Sequence, residues 1–304
     1  MAGPVGGKLG GAAITRKGER AEVLDEGALG ACVAQVAGVW PELRGGGLIL
    51  VHGAGSFGHW QAKEGRIHEG WQGPDRLGFA RTRAAVTRLN SLVVSRLVDA
   101  GIPAVGLPAF PAWTTAGPGC LALGDGEGSA DGPTSAAAAA LAAGLLPVLH
   151  GDAVLDEVQG CAILSGDVLV RELALALGAR HAVFLTNVDG LFDRPPEQPG
   201  AEPISKVVVS GAGEPWTWCG RDGRMRGEGD AELTVGATDD VTGGVVTKIR
   251  EAAGAAEGGV PVLIARAGSP HGRAAIVHGA DALEQEGWAG TLIRRPSGAA
   301  PSSG

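Results

Sequence analysis

The sequence predicts an α/β fold in which helices cover both faces of a central, largely parallel sheet. Short apolar runs alternate with longer stretches of helical pattern along most of the chain, which is typical of parallel sheets. Several apolar runs end in glycine, histidine or aspartate, at the strand ends where such sheets bind ligands. With 304 residues, the chain is long enough for one large domain with a buried core.

The predicted elements follow from the apolar pattern. Buried strands are predicted where the chain is continuously apolar over a few residues, at 48–51, 147–149, 182–185 and 260–264. Helices are predicted where apolar residues recur with a helical period, at 27–39, 76–100, 134–144, 166–178 and 244–257. Segments 111–133 and 210–238 are rich in glycine and are predicted as loops, and 210–238 contains Trp216 and Trp218.

Composition excludes several classes of function. The net charge of −8 argues against a broad nucleic-acid or membrane surface. No apolar run is long enough to span a bilayer, and the start of the chain lacks a signal-peptide pattern. The cysteines form no CxxC pair and are expected to be reduced, as in a cytoplasmic protein; they are Cys32, Cys120, Cys161 and Cys219.

A glycine-rich loop, HGAGSFGH at 52–59, follows the predicted strand 48–51. Its GxGxxG spacing formally matches a dinucleotide fingerprint, which needs a second strand ending in an acid about 20 residues on. Residues 59–75 are polar and broken, so that interpretation is rejected. A glycine-rich turn after a strand still lets backbone N–H groups reach an anion. The spacing leaves two interpretations open, a phosphate-binding loop and a plain tight turn.

Three basic or imidazole groups accompany glycines in the first part of the chain. His59 closes the loop 52–59, where its ring can donate a hydrogen bond to a substrate phosphate; a surface or core histidine is the alternative. Lys8 begins the segment KLGGA, and Lys17 follows one short loop later. A lysine on a glycine turn can neutralise charge on a transferring phosphoryl group, although exposed lysine beside glycine is also common.

Two later segments start predicted helices with glycine. Segment 240–244 reads DVTGG and precedes Lys248 by one helical turn, and segment 165–167 reads SGD. Glycine opens the first turn of a helix to an anion, whereas the alternative in both cases is simple capping. The chain has neither a Walker loop nor the protein-kinase motifs.

Taken in order, these motifs resemble the isopentenyl phosphate kinases of the amino acid kinase superfamily, in the form of plant- and algal-type members. The resemblance runs from Lys8 to about Arg294. HGAGSFGH is the most specific motif, because its last histidine separates this family from amino acid and carbamate kinases of the same fold. The motifs are KLGGAAIT with Lys17, HGAGSFGH, PVLHGDAVLD, QGCAILSGD, FLTNVDGLFDRPP and DVTGGVVTK.

The resemblance implies an αβα sandwich around a central, largely parallel sheet, as one amino acid kinase-like domain over residues 1–304 and commonly a homodimer. An acceptor half would cover about 1–180 and a nucleotide half about 181–295, before a disordered tail at 296–304. The implied reaction moves the γ-phosphoryl group of ATP onto isopentenyl phosphate, giving isopentenyl diphosphate for isoprenoid synthesis. Mg²⁺ is expected on the ATP phosphates with few direct protein ligands, so no metal-ligating residue is assigned.

The resemblance also implies roles for individual residues. Catalysis would fall to Lys8, Lys17, His59 and Lys248. The nucleotide would contact Lys8, Gly10, Gly11, Ala12, Gly55, Thr186, Asp189, Gly190, Asp193, Gly243, Gly244 and Lys248. The acceptor would contact Ala54, Gly55, Ser56, Gly58, His59, Gly166 and Asp167.

Three departures from the family pattern stand out. Residues 2–7 are a poor strand where the family has an apolar one, so Lys8 is expected to be weakly held. Asn187 stands where the family usually has Asp, and Val245 where it usually has Met. None of these changes removes a residue with an implied catalytic role.

Two alternatives to the implied function stay open. One is a kinase of the same fold that acts on another small phosphate or phosphonate. The other is a non-catalytic nucleotide-binding regulator. The presence together of Lys8, Lys17, His59 and Lys248 favours an enzyme over the regulator.

Overall fold

The structure, a computed structural model, describes residues 3–16, 22–43, 47–73, 75–117, 121, 133–210, 216–220, 222–227 and 244–296. The described α-helices are α1 Glu26–Val39, α2 His59–Glu64, α3 Leu77–Asp99, α4 Ser135–Ala142, α5 Gly166–Ala176, α6 Gly244–Glu257 and α7 Pro270–His278. The described strands are β1 Val5–Leu9, β2 Leu48–His52, β3 Ala104–Gly106, β4 Thr114–Thr115, β5 Leu146–His150, β6 Asp152–Asp156, β7 Gly160–Leu164, β8 His181–Thr186, β9 Leu191–Phe192, β10 Pro203–Val208, β11 Thr217–Gly220, β12 Met225–Gly227, β13 Val262–Arg266 and β14 Thr291–Arg294. None of the described helices combines the length and the apolar character that crossing a membrane requires.

The central sheet confirms the predicted largely parallel architecture. Its order is β12-β11-β10-β14-β13-β8-β1-β2-β5-β3, and β9 pairs with β10 outside this path. The strands β13, β8, β1, β2, β5 and β3 are all parallel to one another. Strand β14 runs antiparallel to β13. Because parallel strands share one direction, the carboxyl ends of β8, β1, β2 and β5 meet at the same sheet edge. A second sheet, in the order β4-β6-β7, carries the β6–β7 hairpin.

Strand β2 shows how the sheet is covered on both faces. Leu48 and Leu50 belong to a core that also contains residues of α1, α3 and α7. Ile49 and Val51 belong to a second core that contains residues of α5 and α6. Successive side chains of a strand point to opposite faces, so a continuously apolar strand indicates helices on both sides.

Strand β1 corrects the expectation that residues 2–7 form a poor strand. Val5–Leu9 is buried throughout and lies between β2 and β8 in the middle of the sheet. A Cβ placed on Gly6 would lie 3.3 Å from Cγ2 of Val170 in α5. Glycine therefore lets α5 approach the sheet closely, and the central position overrides the poor local preference for strand.

The predicted loop at 210–238 is also corrected in part. It contains β11, which pairs with β10, and β12, which pairs with β11. Trp218 is 2% exposed and donates its indole N–H to the carbonyl of Gly227 at 2.9 Å. Burial of this ring explains why a glycine-rich segment holds a strand pair. Much of the predicted loop 111–133 and the tail from residue 297 lie outside the described residues.

Candidate active site

Lys8 lies near the carboxyl end of β1, level with Val51 of β2 and Phe184 of β8. Its ammonium group is 2.5 Å from Oδ1 of Asp167, the second residue of α5. Both residues are only 5% exposed. A buried ion pair contributes little net stability because both charges lose water, but it fixes the position of a cation. The structure therefore holds Lys8 firmly, contrary to the expectation from residues 2–7.

The first glycine loop turns directly after β1. Gly10 donates its N–H to the carbonyl of Leu185 at 2.9 Å, and a short 3-10 turn covers Gly11–Ala13. Within the described part of the chain, the N–H groups of Gly11 and Ala12 meet no hydrogen-bond acceptor. The open start of a helical turn favours an anion, as expected of a phosphate contact.

The second glycine loop, 53–58, packs directly against the first. A Cβ on Gly11 would lie 2.4 Å from the backbone nitrogen of Gly55, so the two loops touch through backbone atoms. Gly55 has φ +52°, in the left-handed region that favours glycine. Another short 3-10 turn, Gly55–Phe57, starts here, and the N–H groups of Ala54 and Gly55 face no acceptor among the described residues.

The N–H and the hydroxyl of Ser56 both make hydrogen bonds within the protein. Its N–H donates to Oγ1 of Thr15 at 3.1 Å. Its hydroxyl donates to the carbonyl of Val23 at 3.1 Å and accepts from the N–H of Val23 at 3.2 Å. Oγ1 of Thr15 also donates to the carbonyl of Gly11 at 2.9 Å. These bonds join the two glycine loops to one another.

His59 lies at the exposed end of the second glycine loop, as the first residue of α2. Gly58 precedes it and packs against Ala54 and Val86. The helix α2 therefore begins where the loop ends, which places His59 at the edge of the two-loop cluster.

The start of α5 joins the same cluster. The Ser165 hydroxyl accepts the N–H of Asp167 at 3.1 Å and caps the helix. A Cβ on Gly166 would lie 3.2 Å from the carbonyl oxygen of His52, which places this glycine against the end of β2. In the described structure, the N–H of Gly166 also meets no acceptor. Two 3-10 turns and one α-helix thus begin at one place.

Two histidines lie below the second glycine loop. His52 and His150 pair in register at the ends of β2 and β5, and their rings stack with centroids 5.7 Å apart. Neither residue is exposed. Burial lowers the pKa of each ring to about 4, so both are neutral at pH 7. Nδ1 of His52 lies 3.0 Å from the carbonyl of Gly53, and Nε2 lies 3.1 Å from Oδ1 of Asn90.

An apolar groove of about 690 Å³ begins beside the second loop and follows α3. Arg83 forms part of its wall, with its guanidinium 4.3 Å from the ring centroid of Phe110 and 3.3 Å from Asp152. Burial raises the pKa of Asp152 despite the nearby Arg83. The apolar side chains that line the groove are Phe57, Phe79, Ala80, Ala84 and Leu92.

The predicted nucleotide motif follows β8. The Thr186 hydroxyl donates to the carbonyl of Val188 at 2.8 Å and shapes the turn. Asp189 is bound by both arms of Arg266, with N–O distances of 2.9 Å, and Arg266 also donates to the carbonyl of Asn187. Arg266 contacts the backbone carbonyl of Asn187 and not its side chain. The same contact would therefore form with Asp at position 187.

Gly190 and Asp193 lie beyond this turn. Gly190 has φ +120° and packs against Thr291 of β14. Burial opposes ionisation of Asp193, but the N–H of Glu202 and the side chain of Arg194 outweigh it and lower the pKa of Asp193. The Asp193 carboxylate accepts the Glu202 N–H at 2.7 Å. This carboxylate therefore closes the turn between β9 and β10.

The remaining predicted residues belong to the segment before and at the start of α6. Gly244 is the first residue of α6, and Lys248 lies one turn later in the same helix. Lys17 and Gly243 lie outside the described residues. Helix α6 packs against α5, so its first turn belongs to the same side of the sheet as Asp167.

Several residues that contact these loops received no role in the sequence analysis. They are Thr15, His52, Asn90, His150 and Arg266. The two histidines stood before glycine at strand ends, which was a usable signal. The other three carry no local signal, because each meets its partner loop from a distant part of the chain.

Comparisons with known proteins agree with this geometry. The model of the amino acid kinase family matches residues 7–266. Isopentenyl phosphate kinase of Arabidopsis thaliana is 35% identical over 94% of this chain and 94% of its own length. The enzyme of that name from Methanothermobacter thermautotrophicus is 33% identical over 86% of this chain and 91% of its own. A solved isopentenyl phosphate kinase superposes with a TM-score of 0.71 at 28% identity, covering 95% of this chain and 100% of that one.

Proposed function

This chain belongs to the amino acid kinase family and, within it, to the isopentenyl phosphate kinases, and we propose that it phosphorylates isopentenyl phosphate with ATP. The product would be isopentenyl diphosphate, formed by direct in-line transfer of the γ-phosphoryl group and used in isoprenoid synthesis. The observation that carries this proposal is the meeting of three helical N-termini beside a buried lysine. The first residues of these three elements are Gly11, Gly55 and Gly166. Lys8 lies next to them and forms an ion pair with Asp167 of α5.

This arrangement suits two phosphates that must react with each other. Free N–H groups at the starts of the two turns and of α5 can bind anions, and the dipole of α5 helps to offset the repulsion between two anionic reactants. The ammonium of Lys8, whose charge Asp167 offsets, adds hydrogen-bond donors for a phosphate at low exposure, where electrostatic interactions are weakly screened. Holding the reactants in line and balancing charge are the main tasks in phosphoryl transfer.

The acceptor needs no strong base. A phosphate monoester has a second pKa of about 6, so its oxygen is largely ionised at neutral pH. His59 at the loop mouth would donate a hydrogen bond to the acceptor phosphate rather than remove a proton. Ala54 and Gly55 would donate their N–H groups to the same phosphate.

The apolar groove along α3 favours an acceptor with a hydrocarbon tail. It starts at Phe57, two positions before His59, and half of its lining residues are aromatic or aliphatic, the others being Arg83, Thr87, Arg88, Ser91 and Ser95. A phosphate held by His59 would therefore have an apolar surface beside it. A purely polar phosphate would leave that surface unused.

ATP would bind through the first glycine loop and the nucleotide turn. Gly11 and Ala12 offer N–H groups to its phosphates, while Thr186 and Asp189 lie at the end of the adjacent strand β8. The donors facing the phosphates are N–H and ammonium groups, which bind anions and not cations. Mg²⁺ would therefore enter on the ATP phosphates, where it offsets their charge.

The order of the sheet supports the division into two functional halves. Strands from residues 181–294 occupy the side from β12 to β8, and β1, β2, β5 and β3 occupy the other. The boundary falls between β8 and β1, so Lys8 lies where the halves meet. We propose that residues 1–180 carry the acceptor site and residues 181–295 most of the nucleotide site within one domain, with the first glycine loop contributing its N–H groups to the ATP phosphates from the acceptor half.

The test is a transfer assay with the purified protein, labelled ATP, Mg²⁺ and isopentenyl phosphate, with the product identified by mass spectrometry. Isopentenol, which has the tail without the phosphate, is the matched negative control. Formation of isopentenyl diphosphate is the expected result. If the phosphoryl group is transferred only to other small phosphates or phosphonates, one of those compounds is the acceptor instead of isopentenyl phosphate. If ATP binds and no transfer occurs, the protein is a nucleotide-binding regulator.

Two further expectations complete the proposal. The family resemblance supports a homodimer, which light scattering on the eluted protein would reveal as twice the chain mass. Cys32, Cys161 and Cys219 are all unpaired, which supports a reducing compartment such as the cytoplasm. Fractionation of cells that express the protein would test the compartment.

A further inference from the structure

The buried histidine pair below the second glycine loop has no part in the transfer described above. His52 and His150 occupy matching positions at the carboxyl ends of β2 and β5. Two fully buried imidazoles are unusual in a sheet core, because burying a polar ring is unfavourable unless its nitrogens are satisfied. Three of the four ring nitrogens lie within hydrogen-bond distance of a partner, and Nε2 of His150 has none among the described residues. The bonds that are made indicate what the rings do.

Each ring bonds to the carbonyl of the residue that follows it. Nδ1 of His52 is 3.0 Å from the oxygen of Gly53, and Nδ1 of His150 is 3.0 Å from the oxygen of Gly151. A carbonyl oxygen only accepts, so each Nδ1 carries the hydrogen. Nε2 of a neutral His52 is then an acceptor, and Asn90 pairs with it in the amide orientation that exchanges Oδ1, which lies 3.1 Å from Nε2, for Nδ2.

The bond to Gly53 determines the direction of the next N–H group. The peptide between Gly53 and Ala54 is trans, since the described cis peptide lies elsewhere, at Phe110–Pro111. In a trans peptide the C=O and N–H bonds point in opposite directions. Because His52 holds the oxygen of Gly53, the N–H of Ala54 points away from the buried ring, toward the loop face that lacks protein acceptors.

A loop of this composition needs such a constraint. Gly53 and Gly55 flank Ala54, and glycine allows many backbone conformations. The Gly53–Ala54 peptide would otherwise rotate at small energetic cost and turn the carbonyl toward the anion. A carbonyl oxygen there would repel a phosphate.

We propose that His52 is a positioning residue that aims the Ala54 N–H at the acceptor phosphate by holding the Gly53 carbonyl, with His150 stacked beneath it. This inference rests on the proposed function only where it identifies the bound phosphate as that of the acceptor substrate. His150 contributes in two ways. Its ring packs against His52, and the N–H of the next residue, Gly151, donates to the carbonyl of His52 at 3.0 Å.

A purely structural role for the ring makes a different prediction. His52→Phe fills almost the same space and keeps the stack with His150, but it has no donor for Gly53. His52→Asn is smaller, yet its amide nitrogen lies where Nδ1 lies and can donate to the same carbonyl. His52→Gln extends its amide toward the Nε2 position and loses that bond.

The matched control is His181→Phe. His181 is also buried, has a pKa lowered to about 4 by burial, and bonds to the backbone through the carbonyl of Ile276. It lies at the amino end of β8, at the sheet edge opposite the glycine loops. Its substitution disturbs the core to a similar degree without reaching the loop.

The experiment measures kcat and KM for isopentenyl phosphate and ATP in each full-length variant. We expect His52→Phe to lower kcat/KM for isopentenyl phosphate by about tenfold or more, the effect of losing one hydrogen bond to a charged group. We expect the KM for ATP to stay within about twofold, since first-loop contacts remain. His52→Asn should retain more activity than His52→Gln, and His181→Phe should match the wild type. An equal loss of kcat/KM for isopentenyl phosphate and for ATP in His52→Phe would overturn the proposal. A higher activity of His52→Gln than of His52→Asn would also overturn it.

A second measurement separates this inference from the proposed function. Amide NMR signals of Ala54 and Gly55 are followed while inorganic phosphate is added to wild-type protein, His52→Phe and His181→Phe. Both signals should shift in the wild type and His181→Phe, and much less in His52→Phe. Failure of the wild type to act on isopentenyl phosphate would refute the proposed function alone. Equal shifts in all three proteins would refute the role of His52.

Discussion

Nζ of Lys8 lies 2.5 Å from Oδ1 of Asp167, and this buried contact joins the strand at the centre of the sheet to the helix that covers it. The two residues come from distant parts of the sequence. Their pairing places a cation and the first turn of α5 at one point. Both the stability of the fold and the charge of the site therefore depend on this contact. Substitutions at the two positions can measure the effect on stability and the effect on phosphoryl transfer separately.

Lys8→Met is expected to abolish phosphoryl transfer and to lower the free energy of unfolding by about 3–5 kcal/mol, because the buried Asp167 carboxylate loses the ammonium of Lys8. Adding Asp167→Asn removes the carboxylate charge, so the double variant should recover much of the stability while transfer stays lost. Urea unfolding and the transfer assay measure the two effects. A double variant with restored activity would show that Lys8 has no direct part in transfer.

His59→Ala is expected to raise the KM for isopentenyl phosphate or to abolish turnover, because the acceptor phosphate loses a hydrogen-bond donor. ATP binding, measured by calorimetry, should remain. His68→Ala is the matched control, since His68 is an exposed histidine whose recorded contact is with Glu69 on the surface. Kinetics of His59→Ala that equal those of His68→Ala would contradict the role given to His59.

Gly55→Ala is expected to destabilise the protein by about 3 kcal/mol, because the new Cβ meets neighbouring atoms and the backbone is left-handed there. That Cβ would lie 2.1 Å from Oγ1 of Thr15, at φ +52°. Gly30→Ala in α1 makes the same chemical change in open space and should stabilise the protein by about 0.5–1 kcal/mol. Thermal unfolding of both variants checks the opposite signs. Equal stability of Gly55→Ala and wild type would show that the two loops do not interlock.

Stability is expected to fall as the pH drops from about 6.5 to about 4. Burial lowers the pKa of His52, His150 and His181 to about 4, from an ordinary value of 6.5. Between these values the unfolded chain binds more protons, so the stabilisation is complete above pH 6.5 and is lost as the pH falls. Each ring contributes up to about 1.4 kcal/mol per pH unit in that window.

Urea unfolding at several pH values measures this slope. Burial raises the pKa of Asp152 and Glu251, so these carboxyl groups oppose the histidines at the acid end of the range. His181→Phe removes one of the three contributions and should flatten the curve without changing the site. A free energy of unfolding that does not change between pH 6.5 and 4.5 would show that the rings are protonated in the folded protein.

The sequence located the two glycine loops well because their signals are local. A glycine-rich turn directly after an apolar run is visible in a few residues, and the strand Leu48–His52 ends where that pattern predicts. The helix Leu77–Asp99 was equally visible, from its long apolar period. Strand Val5–Leu9 was missed for the opposite reason: its glycines weaken the local signal, and its stability comes from the neighbours on both sides and from α5 above it.

The fold class, the family and the order of the glycine loops could be predicted from the sequence, since these depend on periodicity and on motifs that are contiguous in the chain. The pairing of Lys8 with Asp167 and the contact between Gly11 and Gly55 are visible only in the folded structure. That structure alone shows that His52 holds the carbonyl of the loop it precedes, because backbone direction is not encoded in residue type. These contacts arise when parallel strands bring their carboxyl ends to one edge, and the buried lysine there is held by a partner that no local pattern indicates.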